Sequence, residues 1–149
     1  MMQIFLGSDH NGLDLKNHIY QFLKNGNYDV QDKGDIKFRP EDDFPVFASR
    51  VVNAMRITDD QDPRGILICG SGQGMCMAAN RYKGIRAALC WNIIEARSSR
   101  NDDNSNILCL SAKSTSTNEA EGIINTWLNT SFAAAPRFIR RLKELDELT

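Results

Sequence analysis

The sequence predicts an α/β fold: a parallel sheet with helices on both faces. Three observations carry that prediction. Short apolar runs alternate with stretches of helical periodicity along the chain. One run, Gly65–Cys69 (GILIC), is apolar without interruption, as in a central strand covered on both sides. No internal repeat or low-complexity tract interrupts the alternation.

Each element has its own signal. Gln3–Gly7 reads as a buried strand. Leu15, Ile19, Phe22 and Leu23 then fall at helical spacing, and Gly26 supplies the stop. Tyr28–Gln31 is a weaker second strand, followed by a polar loop over Asp32–Asp42. Phe44, Phe47, Val51 and Met55 mark a second helix, and Thr58–Arg64 is a solvated connection to the GILIC strand. A glycine-rich turn and a short helix follow. Ile85–Cys90 is the fourth strand, Asn92–Arg100 a helix and Ile107–Leu110 the fifth strand. Ser116 and Glu119 have capping-box spacing before a helix that puts Ala120, Ile123, Ile124, Trp127 and Leu128 on one face. Pro136 opens a last helix running toward Leu148.

Composition narrows the function classes. The 149 residues fit one domain of common size, with 42% hydrophobic and 25% charged residues, an ordinary globular balance. Lys plus Arg number 18 against 19 Asp plus Glu, a formal net charge of −1, so no global excess points to nucleic acid or an anionic membrane. Any anion must be held by a local cluster. The four cysteines, Cys69, Cys76, Cys90 and Cys109, contain no C-x-x-C pair and read as reduced thiols of a cytoplasmic protein. The start of the chain lacks signal-peptide character, and no apolar run approaches the ~20 residues of a membrane span.

In open parallel sheets the site lies at the carboxyl ends of the strands, so the segments after strands one, three and four are the places to search. After strand one stands Gly7-Ser8-Asp9-His10-Asn11-Gly12. Asp9 can accept hydrogen bonds from hydroxyls, and His10 can meet an anion or move a proton near neutral pH; the plainer reading is that Asp9 or Asn11 caps the helix. His18 sits mid-helix facing water and takes no role. After strand three stands Cys69-Gly70-Ser71-Gly72-Gln73-Gly74. Its glycines let backbone approach a ligand, but it matches neither the P-loop nor G-x-G-x-x-G. Cys69 ends the strand beside those amides, placed to act as base or nucleophile or else to be an inert buried thiol. Cys76, Cys90 and Cys109 read as packing residues. The polar segment Ser99–Asn106 precedes strand five, and Arg137 and Arg141 stand four apart on the last helix, a spacing that suits a shared phosphate.

Together these segments resemble the ribose-5-phosphate isomerase B family, which also includes galactose-6-phosphate isomerase subunits and allose-6-phosphate isomerases. The resemblance rests on G-S-D-H-N-G, then G-I-L-I-C-G-S-G-Q-G with A-A-N-R and G-I-R-A-A, then S-R-x-x-x-N-x-N-I-L, then R-x-x-x-R, and spans roughly residues 3 to 145. It implies a Rossmann-like three-layer α/β/α sandwich with a five-stranded parallel sheet, formed by one domain over residues 1–149. It implies an aldose–ketose isomerase of the pentose phosphate pathway that acts on a sugar phosphate through an enediolate, without cofactor or metal. It implies a homodimer or tetramer with sites shared between subunits, the C-terminal helix (about 136–148) packing on a partner.

By the same resemblance Cys69 is the base and Ser71 a proton shuttle. Asp9, His10, Gly70, Ser71, Gly72, Gln73, Gly74, Asp103 and Asn106 line the substrate, and Arg137, Arg141 and His10 hold the phosphate. Two positions depart from the family pattern. Asp102 stands where many members have His, so ring opening is expected to fall to His10 with Asp102 as base. Phe44 stands where Tyr is common. The leading expectation is ribose 5-phosphate to ribulose 5-phosphate. A hexose 6-phosphate isomerase and a non-catalytic sugar-phosphate-binding subunit are the alternatives, with a flavodoxin-like nucleotide or flavin module as a third class.

Overall fold

The computed structural model describes residues 1–148. Its five strands are β1 (Gln3–Ser8), β2 (Asp29–Asp32), β3 (Arg64–Cys69), β4 (Ala87–Leu89) and β5 (Ile107–Ser111). The helices are α1 (Leu13–Asn25), α2 (Phe44–Ile57), α3 (Gln73–Ala79), α4 (Ile93–Asn101), α5 (Thr117–Asn129) and α6 (Pro136–Asp146). All the pairings are parallel, in the order β2-β1-β3-β5-β4. The GILIC strand is therefore central, and every residue of β3 is buried.

The three layers follow from strand alternation. Successive side chains point to opposite faces. Ile4, Leu6, Ile66, Ile68, Leu108 and Leu110 pack against α1 and α5 through Ile19, Leu23, Ile123 and Trp127. Phe5, Leu67, Cys69, Ile107 and Cys109 face the other way, against Phe47, Val51 and Met55 of α2 and Met75 of α3. Trp127 is fully buried, and its indole N–H donates to Ser105 Oγ at 2.8 Å, so the large ring costs no unpaired donor.

The local signals hold, with adjustments. Ser116 and Glu119 form the capping box of α5, and the Asn92 side chain caps α4 by accepting from the Glu95 amide at 2.8 Å. Gly26 follows α1 with φ −82°, while the left-handed residue of that turn is Asn27 at φ 63°. The fourth strand is shorter than its apolar run. Ala87 N–H and carbonyl are taken by the Asn80 side chain, at 2.8 and 2.9 Å, so only one edge of this outer strand joins the ladder. α6 has no buried residue. Among the described residues, no helix is long and apolar enough to cross a membrane.

Candidate active site at the carboxyl ends of the strands

β2 lies on one side of β1 and β3 on the other, so successive connections diverge between β1 and β3. Backbone groups are least covered at such a divergence, which makes room for a ligand. β1 runs straight into a 3₁₀ turn, His10–Gly12. Asp9 caps it, its Oδ1 accepting from the amides of Asn11 at 3.0 Å and Gly12 at 3.2 Å. The capping reading of Asp9 is therefore correct for one oxygen. Gly12 has to be glycine, because a β-carbon there would stand 2.6 Å from the Ile68 carbonyl oxygen. That close approach presses the turn onto the end of β3. Asp9 is 6% exposed, and burial pushes its carboxyl up from the usual value, with the Gly12 amide and His10 opposing.

Cys69 closes β3. The Gly72 amide donates to its Sγ at 3.2 Å. The turn folds back to make this contact, and Gly72 leaves it with φ 75°, where a β-carbon would stand 2.6 Å from Leu89 Cδ1. Ser71 and Gln73 are exposed at the rim, and the Gln73 amide donates to Ser71 Oγ at 3.3 Å. Phe44 packs its ring on Gly74, where a β-carbon would lie 2.9 Å from Cζ.

The third strand end at the site belongs to β5, not to β4 as sequence order suggested, because β5 lies between β3 and β4. It contributes two residues that sequence reasoning missed. Ser111 Oγ donates to the Gly70 carbonyl at 2.8 Å, and the Lys113 amide donates to the same oxygen at 3.0 Å. The Lys113 side chain lies over Gly70: a β-carbon added there would come within 3.2 Å of its Cε and 3.6 Å of its Nζ, and within 3.6 Å of Asn11 Nδ2. A cation thus stands beside the glycine loop. Its one sequence signal was its place two residues past the end of an apolar strand.

The polar loop after β2 supplies another missed residue. Asp42 Oδ1 accepts from the His10 backbone N–H at 3.2 Å and pairs with the ring Nδ1 at 2.7 Å. This hydrogen bond is the largest influence raising the His10 pKa from its ordinary value. Possible ligand atoms of Asp9, His10 and Asp42 gather within 4.8 Å. The His10–Asp42 contact has hydrogen-bond length, so the group is an ion pair beside a second carboxylate.

The remaining sequence candidates lie at the other end of the sheet. Asn106 precedes β5, and its carbonyl accepts from Gly65 N–H at 3.0 Å, at the start of β3. Cys69 pairs with Ser111 five residues further along, roughly 16 Å away at the ordinary rise per residue. The Asn106 side chain is spent on structure: Oδ1 accepts from the Arg86 amide at 2.8 Å and Nδ2 donates to the Gly84 carbonyl at 2.9 Å. Asp102 accepts from Asn101 Nδ2 at 2.7 Å. Burial pushes the Asp103 carboxyl up, Asp102 adds to this, and Arg141 opposes it. The Ala133 amide donates to the Asn101 carbonyl at 3.0 Å, tying the approach to α6 onto this loop. Arg137 and Arg141 are exposed on α6, Arg137 stacked 4.4 Å above the Phe138 ring. Within one chain, then, Asp9, His10 and Cys69–Gly74 come together, while Asp102, Asp103, Asn106, Arg137 and Arg141 do not join them. His18 is exposed and pairs with Glu121 at 2.9 Å.

Comparison with known proteins matches this arrangement to one group. The family described as Ribose/Galactose Isomerase matches residues 4–145. The chain is 41% identical over 142 residues to a probable ribose-5-phosphate isomerase B of Mycoplasma genitalium, covering 95% of this chain and 92% of the relative. A crystal structure of ribose 5-phosphate isomerase B from Thermotoga maritima superposes with a TM-score of 0.93 at 37% identity, covering 99% of each chain. The M. genitalium enzyme with bound ribulose-5-phosphate superposes with a TM-score of 0.92 at 39% identity, covering 97% of this chain and 94% of that one.

Proposed function

Since the chain belongs to the ribose/galactose isomerase family, we propose that it interconverts ribose 5-phosphate and ribulose 5-phosphate through an enediolate. The carrying observation is Cys69 Sγ at the end of the central strand, facing the Gly72 amide at 3.2 Å. In the proposed step Cys69 takes the proton from carbon two of the open-chain aldose. The electron pair becomes the carbon–carbon double bond, and the aldehyde oxygen becomes the enediolate oxygen. The proton returns to carbon one, and Ser71 carries a proton between the two oxygens. Charge builds on oxygen beside the amides of Gly70–Gly74, where preorganised N–H donors have most effect. Lys113 adds a full positive charge at that place. Asp9 and Gln73 are positioned to contact the sugar hydroxyls.

The phosphate clamp, in this reading, comes from a second copy of the chain. Arg137 and Arg141 stand at the far end of the sheet from Cys69, on a helix with no residue buried in its own chain. A partner's α6 would bring them, with Asp102 and Asp103, over the mouth formed by Asp9, His10 and Cys69. Ring opening is assigned to His10 and the partner subunit's Asp102, on opposite sides of the sugar. The chain acts as one domain in the cytoplasm.

A coupled assay on pentose and hexose phosphates tests the reading. Turnover is expected with ribose 5-phosphate, and Cys69→Ala should lose at least ~10³-fold in kcat, as expected when a proton-transferring group is removed. Activity on hexose 6-phosphates alone would move the substrate assignment, and full activity of the Cys69 variant would overturn the base.

A further inference from the structure

We propose that Asp42 is a positioning residue for this reaction: it grips His10 through Nδ1 and presents the Nε2–H to the phosphate of the substrate. The inference takes its substrate from the isomerase reading above, while the pair itself stands on geometry alone.

One carboxylate oxygen holds His10 twice. Asp42 Oδ1 accepts from the backbone N–H at 3.2 Å and from ring Nδ1 at 2.7 Å. Nδ1 facing a carboxylate carries a proton, so the tautomer is set. Phe38 packs edge-on against the ring, with centroids 5.8 Å apart and planes at 86°, which limits rotation about the last side-chain bond. The ring is 21% exposed and the Asp42 side chain 7%. The grip is thus on the buried side, and Nε2, which has no partner among the described residues, is left for the site.

The charge on His10 follows from the Asp42 hydrogen bond and the neighbouring carboxylates, against the desolvation of the ring itself. Asp42 Oδ2 is buried without a hydrogen-bond partner, so the carboxylate depends on His10 for compensation. The surroundings of His10 are acidic from several elements. Asp9 lies before it, Glu41 and Asp42 lie across from it, and Asp35 contacts Asp42 while Arg39 stands 3.9 Å from Asp35. Asp42, Asp9 and Glu41 all favour the protonated ring. An imidazolium offers Nε2–H as a charged donor. A neutral ring with Nδ1 protonated offers only an acceptor there, which a phosphate oxygen would reject.

The experiment reads His10 by NMR titration, alongside kcat and KM for ribulose 5-phosphate, which is open-chain and needs no ring opening, between pH 6 and 8.5, in wild type, Asp42→Asn and Asp42→Glu. Asp42→Asn is expected to lower the His10 midpoint toward the ordinary value. At pH 8 its KM should rise about five- to tenfold with kcat within about twofold, and at pH 6 the KM gap should close, since both rings are then protonated. Asp42→Glu should recover part of the shift, and Asp42→Asn should add nothing to KM in a His10→Gln background. An unmoved His10 midpoint overturns the pairing, as does a fall in kcat with KM unchanged. A change of either readout on EDTA treatment also overturns it, by assigning the carboxylates to a cation. If wild type turns over no sugar phosphate, the isomerase reading fails, while the titration, repeated with inorganic phosphate, still decides whether Asp42 sets the charge on His10.

Discussion

Asp9 illustrates how one residue carries opposing demands. Its Oδ1 caps the first turn, which an uncharged side chain does equally well, while burial penalises its charge. Its folded pKa lies above the unfolded value, so its contribution to stability is fully present below about pH 3.9 and is lost as pH rises through the folded value. At pH 7 the ionised carboxylate therefore costs stability. Asp9→Asn keeps the cap and removes the charge, and calorimetry should show Tm rising by roughly 2–4 °C, about 1 kcal/mol in a chain of this size, while isomerase turnover falls. The cysteines divide as sharply. Cys76 is partly exposed and its thiol is lowered to about 7, chiefly through its contact with Cys109, whereas burial pushes Cys90 up to about 11. Iodoacetamide at pH 7.5 should label Cys76 well before Cys90 or Cys109, read by peptide mass spectrometry. The position of Cys76 in the sequence did not reveal that Cys109 of β5 faces it.

At the scale of elements, the glycine loop between β3 and α3 is the least tolerant segment. Gly72→Ala would put a β-carbon 2.6 Å from Leu89 Cδ1 and 3.0 Å from the Leu110 backbone, at φ 75°. Strain and overpacking together should cost about 2–4 kcal/mol and displace the amide that faces Cys69; urea denaturation reads the first and kcat the second. Ser116→Ala breaks the capping box of α5, made by exposed groups three residues past Lys113. It should cost about 1 kcal/mol in the same denaturation. Helices and the central strand were legible because periodicity and caps are local. The short β4 was not, since its apolar run says nothing of the Asn80 side chain that occupies one edge of the strand.

For the whole molecule, a site divided between two sheet ends predicts complementation between subunits. Chains carrying Cys69→Ala and chains carrying Arg137→Ala with Arg141→Ala should each be nearly inactive. Mixed in equal amounts under conditions that exchange subunits, half the dimers are hybrids with one intact site of two, so about a quarter of wild-type activity should return. No recovery, with exchange verified by mass spectrometry, would place all the machinery in one chain. The near-neutral charge of the chain fits this arrangement. In the proposed reading the anion-binding groups are His10, Lys113 and the α6 arginines, each local.

The sequence by itself determined the α/β class, the central strand, the order of elements and the Cys69 loop, because alternation, helical spacing and glycine content act over a few residues. Its family motifs brought the isomerase family within reach before any coordinates. Only the tertiary structure decided which strand ends meet. Strand order puts β5 beside β3, which brings Lys113 to Gly70 and sends Asp102, Asp103 and Asn106 to the opposite end. It also folds a loop that read as merely polar back over β1, so that Asp42 reaches His10 across 32 residues of chain. Such pairings depend on packing between distant segments, and no local pattern of residues records them.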